Sequence, residues 1–106
     1  MTPEARAEQM PAREDVPVTP AELRALVLSA RYRPAFGLGP GRHWRAERPG
    51  GGCYHLRAGA GHAPSLHWDR ADPRTDPIGH CCESPWLWGG ALVLVAGLVI
   101  GVGLAL

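Results

Sequence analysis

The most one-sided run in the chain is its last: from Trp86 to Leu106, WLWGGALVLVAGLVIGVGLAL, 21 residues pass without a charge. At about 1.5 Å of rise per residue such a helix spans roughly 30 Å, the thickness of a bilayer's hydrocarbon layer. A buried helix of a soluble protein is the alternative, but a chain of 106 residues has no core wide enough to surround it on all sides. The pattern predicts a transmembrane helix over 86–106, with the lipid bilayer as its first partner. Trp86 and Trp88 suit the near membrane interface. Gly97 and Gly101 form a G-x-x-x-G pair, and Gly90 falls seven residues earlier on the same helical face. Such a face favours close packing, by self-association or against a larger membrane-protein partner.

Two other periodicities precede the span. In TPAELRALVLSARYRP, Leu23, Leu26, Val27 and Ala30 recur at the spacing of one helical stripe. Thr19 as cap, Pro20 at the first helical position and Glu22 three residues after the cap compose a capping box, and Pro34 ends the run. One helix over about 20–33 is expected. Residues 42–70 alternate apolar and polar instead, broken by RPGGG and GAGHA, which predicts a three-stranded antiparallel β-meander. Trp44, Ala46, Tyr54, Leu56, Leu66 and Trp68 then share one face, able to cover the helix stripe.

Opposed residues on antiparallel strands point to the same side, so this division tests the register. Five-residue loops at 48–52 and 59–63 satisfy it. They place Trp44, Leu56 and Leu66 in one row, with Ala46, Tyr54 and Trp68 in the next. On the other face they align Arg45, His55 and His67, and beside them Glu47, Cys53 and Asp69.

The flanks read differently. Residues 1–22 carry Arg6 and Arg13 against Glu4, Glu8, Glu14, Asp15 and Glu22, a net of −3, and hold Pro3, Pro11 and Pro17 with few large apolar residues. Residues 1–18 are therefore expected to be a disordered acidic leader. Residues 71–85, with Asp-Pro at 72–73 and 76–77, read as a Pro-rich juxtamembrane strap of turns and extended backbone. The small α+β domain is thus bounded at 19–70. GLGPGR reads as a plain loop, since no strand precedes it in a βα unit.

Charge sets the topology. Residues 23–85 come to +4, and Arg70 and Arg74 lie close enough to the span for the positive-inside bias to place the body in the cytoplasm. The opening MTPEARAEQMPARED lacks the apolar core of a secretory signal. A single-pass, tail-anchored arrangement follows. All eleven basic residues are arginine, so Schiff-base chemistry and a phosphate-binding P-loop lysine are excluded. The balance of arginines against acids is that of a solvated surface, and no nucleic acid is expected.

Candidate chemistry sits on the polar face of the meander. His55, His67, Cys53 and Asp69 form a two-by-two block with opposed Cβ atoms about 5 Å apart. Zinc accepts imidazole, thiolate and carboxylate donors at such spacing, and copper shares the imidazole preference. No C-x-x-C or H-E-x-x-H spacing accompanies the block, and the face is expected to be open to solvent. The same residues read as a nucleophile set, Cys53 activated by a histidine and oriented by Asp69, would lack a water-excluding cleft. Beside the span, Cys81 and Cys82 with His80 have three readings: lipidation, metal binding between protomers, or small apolar residues at the interface.

The sequence therefore predicts a non-enzymatic accessory subunit or interaction module at the cytoplasmic face, with no obligatory cofactor. The alternative is a membrane-tethered zinc- or copper-binding module using the His/Cys/Asp cluster.

Overall fold

The computed structural model describes residues 1–37 and 39–106. A five-stranded antiparallel sheet forms the body: β1 (Val16–Pro17), β2 (Arg33–Ala35), β3 (Arg42–Glu47), β4 (Cys53–Gly59) and β5 (His62–Asp69), in spatial order β1-β5-β4-β3-β2. Three of these are the strands expected from alternation. The other two are edge strands too short to carry a periodic signal, so the expected three-stranded meander becomes a five-stranded sheet.

The register is the one that the pattern requires. Trp44 faces Leu56 and Leu56 faces Leu66, while Tyr54 lies between Ala46 and Trp68. Arg45, His55 and His67 form the next row on the opposite side, and Cys53 stands between Glu47 and Asp69. The 48–52 loop is as expected, but the second turn is tighter. Ala60 and Gly61 alone connect β4 to β5, both with positive φ (54° and 82°), the signature of a two-residue type I′ turn. A bulge between Arg57 and Gly59 absorbs the odd residue, which is why a shorter turn leaves the inner register unchanged.

Two helices cover the apolar face. α1 (Pro3–Glu8) starts at Thr2, whose hydroxyl accepts from the Ala5 amide, and buries Ala7 completely. α2 (Pro20–Leu28) carries the full Thr19/Glu22 capping box and inserts Leu26, with Leu23 and Val27 packed beside it. Between helices and sheet lie Val16, Val18, Tyr32, Trp44, Ala46, Tyr54, Leu56, Ala58 and Leu66. α2 stops five residues before the expected end. Pro34 disfavours helical geometry at Arg33, and β2 recruits Arg33–Ala35 to the edge of β3 instead.

The leader expected to be disordered is helical over 3–8 and paired with β5 at Val16–Pro17. Specific polar contacts attach it where apolar content is low. Arg6 grips Glu22 through both terminal nitrogens at 2.9 Å, and Glu8 accepts from the Tyr54 hydroxyl at 2.8 Å and from Arg48 at 2.9 Å. The indole N–H of Trp68 donates to the Met10 carbonyl.

After the sheet, the strap contains α3 (Pro77–Cys82), which Asp76 caps by accepting from the Gly79 amide. α4 (Pro85–Ala105) follows, 21 residues with a mean hydropathy of 2.3 across its most apolar window and no part of that window buried. It is one helix long and apolar enough to cross a membrane. Trp86 and Trp88 are exposed at its start, and the Trp88 indole donates to the Cys82 carbonyl at 2.7 Å.

Candidate metal centre

The polar face of the sheet is roofed, not open. The 13–15 segment, the glycines at 37 and 39, and α3 lie across it, leaving a cleft of about 260 Å³ lined by Arg13, His43, Arg45, His55, His67, Asp69 and His80, among others. His43, Arg45, His55 and Cys53 are buried, and Asp69 is only 1% exposed. Close approach of the roof is built into the backbone: a Cβ on Gly37 would collide with the His43 ring.

Within this cleft three histidines make a row across β3, β4 and β5. His43 Nδ1 lies 2.7 Å from His55 Nε2, and His55 Nδ1 lies 3.2 Å from His67 Nε2. The ends fix every proton. At one end His43 Nε2 faces the Gly39 carbonyl at 3.0 Å, which can only accept, so His43 carries its proton there and accepts from His55 Nε2–H through Nδ1. His55 is then left with a bare lone pair on Nδ1. At the other end His67 Nδ1 donates to Asp15 Oδ1 at 2.8 Å, and its Nε2 stands 3.3 Å from Asp69 Oδ1. Carboxylates beside both nitrogens make His67 the charged member.

Ionisation follows the same logic. Burial, then the positive charges of Arg45 and His67, push His55 down to about 3, so it is neutral. Burial alone would lower His67 as well, but hydrogen bonds to Asp15 and Asp69 outweigh it and hold the imidazolium up to about 9. Burial opposes ionisation of Asp69, yet His67 and Arg45 bring it down to about 2. Arg45 donates to Asp69 Oδ2 at 3.1 Å, leaving Oδ1 toward His67.

His55, His67 and Asp69 each offer a ligand atom, all within 4.8 Å of one another. The two measured edges of that triangle, 3.2 and 3.3 Å, suit tetrahedral coordination, since metal–ligand bonds of about 2.0–2.1 Å place neighbouring donors about 3.3 Å apart. Each ring also has the outer partner that ligating histidines use: Asp15 on His67, and His43 on His55. A second group, Asp69, His80 and Glu83, shares the carboxylate.

Cys53 stands outside both groups. Its thiol lies 3.4 Å from Arg45 Nη1 and 3.9 Å from Asp69 Oδ2, and burial pushes its pKa up to about 11 despite the arginine. A thiol held protonated is a poor ligand and a poor nucleophile. The four-residue block expected from the register is thus reduced to His55, His67 and Asp69. Cys81 and Cys82 are exposed free thiols.

Sequence reasoning missed His43 and Asp15, and kept His80 with Cys81 and Cys82 beside the span where the structure puts it in the cleft of the sheet. His43 had a signal: it sits two residues from Arg45 on the same face and is a diagonal neighbour of His55. Asp15 had none, and nothing tied His80 to the sheet, because both reach the cleft from segments without periodicity. On α4, among the described residues and apart from the helix's own backbone, nothing comes within 4 Å of where a Cβ would stand on Gly90, Gly97 or Gly101. No protein-family model matches the chain, and searches of curated proteins and of solved structures return no match either.

Proposed function

We propose that the chain is a membrane-anchored metal-binding module that holds one divalent ion, zinc by donor chemistry, through His55 Nδ1, His67 Nε2 and Asp69 Oδ1. The observation that carries this reading is the convergence of the three atoms within 4.8 Å on a buried face. The outer hydrogen bonds support it, since His43, Asp15 and Arg45 already orient the two rings and the carboxylate. In the metal-free chain the proton on His67 Nε2 lies between His55 Nδ1 and Asp69, where the ion would sit. Binding therefore exchanges that proton for the metal.

The role is non-enzymatic in this reading, that of an accessory subunit keeping a metal at a membrane surface. The positive-inside bias of Arg70 and Arg74 supports a cytoplasmic body. A helical partner would meet the glycine face of α4. The test is elemental analysis of the full chain, purified in detergent without a histidine tag after zinc exposure and desalting. Equimolar zinc, lost in His55→Ala and in His67→Ala, is expected. No retained zinc, or zinc retained by both variants, overturns the proposal.

A further inference from the structure

Three protein ligands leave a tetrahedral ion one position short. β3, β4 and β5 offer nothing to fill it: Cys53 is committed to Arg45 and Asp69, and the two nitrogens of His43 are taken by His55 and Gly39. The roof does offer something. His80, in the third turn-forming helix of the chain, lines the same cleft as the three sheet ligands and falls within 4.8 Å of Asp69 in the group that it shares with Glu83.

His80 has the configuration of a ligand in waiting. Its Nδ1 lies 3.0 Å from the Ala71 carbonyl, which accepts only, so the proton sits on Nδ1 and the Nε2 lone pair is uncommitted. Glu83 belongs to the same group and its buried Oε2 has no hydrogen-bond partner among the described residues, but its charge is balanced by Arg13, whose Nε stands 3.4 Å away. Arg13 itself is a loose occupant. It reaches Asp69 Oδ1 at 3.8 Å, but its buried Nε finds no hydrogen-bond partner among the described residues. Its Nη2 donates to the His80 carbonyl at 2.8 Å, so the arginine holds α3 by its backbone and leaves the ring free.

We infer that His80 supplies the fourth ligand, so that the metal ties the sheet to the helix leading into the membrane span. This rests on the metal centre proposed above. His80 does not join His55 and His67 within one 4.8 Å group, so α3 closes toward the cleft when the ion binds. Only Glu83 and Ser84 separate α3 from α4. The ion would accordingly fix the sheet relative to the anchor, with α3 as the moving part.

The test uses the full chain in lipid nanodiscs, titrated with Co²⁺, whose visible absorption reports coordination number and whose binding gives stoichiometry. One equivalent with intense four-coordinate bands is expected for the unaltered chain. His80→Ala should keep one equivalent but weaken it about tenfold or more and shift the visible bands as water replaces an imidazole. Glu83→Gln should match the unaltered chain. With ¹⁵N-histidine labelling and Zn²⁺, the His80 Nε2 resonance of the unaltered chain should shift to a metal-bound position, a readout that does not depend on a variant folding. Cobalt binding that depends on His55 but is unchanged in His80→Ala, with an unshifted His80 resonance, overturns the fourth-ligand assignment and leaves the three-ligand centre standing. Loss of the spectrum in Glu83→Gln, with His80→Ala unaffected, also overturns it. No binding to the unaltered chain overturns both.

Discussion

The two faces of the sheet are buried by opposite means. On one, Leu56, Leu66, Trp44 and Tyr54 exclude water by contact with α1 and α2, and any large apolar roof of similar shape would serve. On the other, Arg45, Asp69, His55 and the half-buried His67 are held by specific pairs, Arg45 with Asp69, His55 with His67 and His67 with Asp69. The apolar face tolerates approximation and the polar face does not. A buried charge that loses its partner keeps its full desolvation cost, whereas a truncated leucine costs what its cavity leaves unfilled.

The contrast can be broken first at Asp69. Asp69→Ala leaves the Arg45 guanidinium buried without its carboxylate, and denaturant unfolding of the metal-free full chain in detergent should show a loss of about 3–5 kcal/mol. Leu66→Ala on the other face should cost somewhat less, about 2–4 kcal/mol, and should leave zinc stoichiometry intact where Asp69→Ala abolishes it. A loss for Asp69→Ala below 1 kcal/mol would show that the polar face contributes little.

The pH response sharpens the same comparison, because the apolar face contributes no histidine, and Tyr54 within it is raised to about 12. The folded pKa of His67 is raised, from 6.5 to about 9, so its stabilisation is complete below 6.5 and is lost as pH rises through 9. That of His55 is lowered to about 3, so stability falls as pH drops from 6.5 toward 3. Asp69, depressed to about 2, adds a loss as pH falls below 3.8. Stability of the metal-free chain should therefore peak near pH 6.5, followed by urea midpoints at constant ionic strength, and His67→Gln should remove the alkaline limb. Zinc affinity should change the other way below pH 9, weakening about tenfold per unit of acidification as one proton competes for His67.

The smallest effect belongs to the periphery of the apolar side. Tyr54→Phe removes the hydroxyl that donates to Glu8 but keeps the ring, and Glu8 still holds Arg48. About 1 kcal/mol is expected, read from the same unfolding curves, with no change in metal binding.

What the sequence makes legible is what repeats locally. Alternation places Trp44, Leu56 and Leu66 in one row because a one-residue slip would turn every side chain over, and the Thr19/Glu22 box and the uncharged run after Ser84 are similarly short-range. What it hides depends on distant partners. Asp15 belongs to the site only through His67, 52 residues away, and the leader is ordered through pairs such as Glu8 with Tyr54, 46 residues apart. Composition describes such a segment as unable to order itself, which is true of the segment in isolation. Ala60 hides the type I′ turn for another reason: its φ of 54° is one that an alanine rarely adopts, and the cost is met by the strands it joins.

The row of histidines ends on a carbonyl. Each ring passes its neighbour the same polarity, from the Asp15 end to Gly39, but an amide oxygen cannot take up a proton at neutral pH. A displacement of charge at His67, by a metal or by loss of its proton, is therefore felt at the Gly39 carbonyl as a change in hydrogen-bond strength, while no proton leaves by that route. The row can transmit polarisation, but it offers no exit for a proton at its Gly39 end.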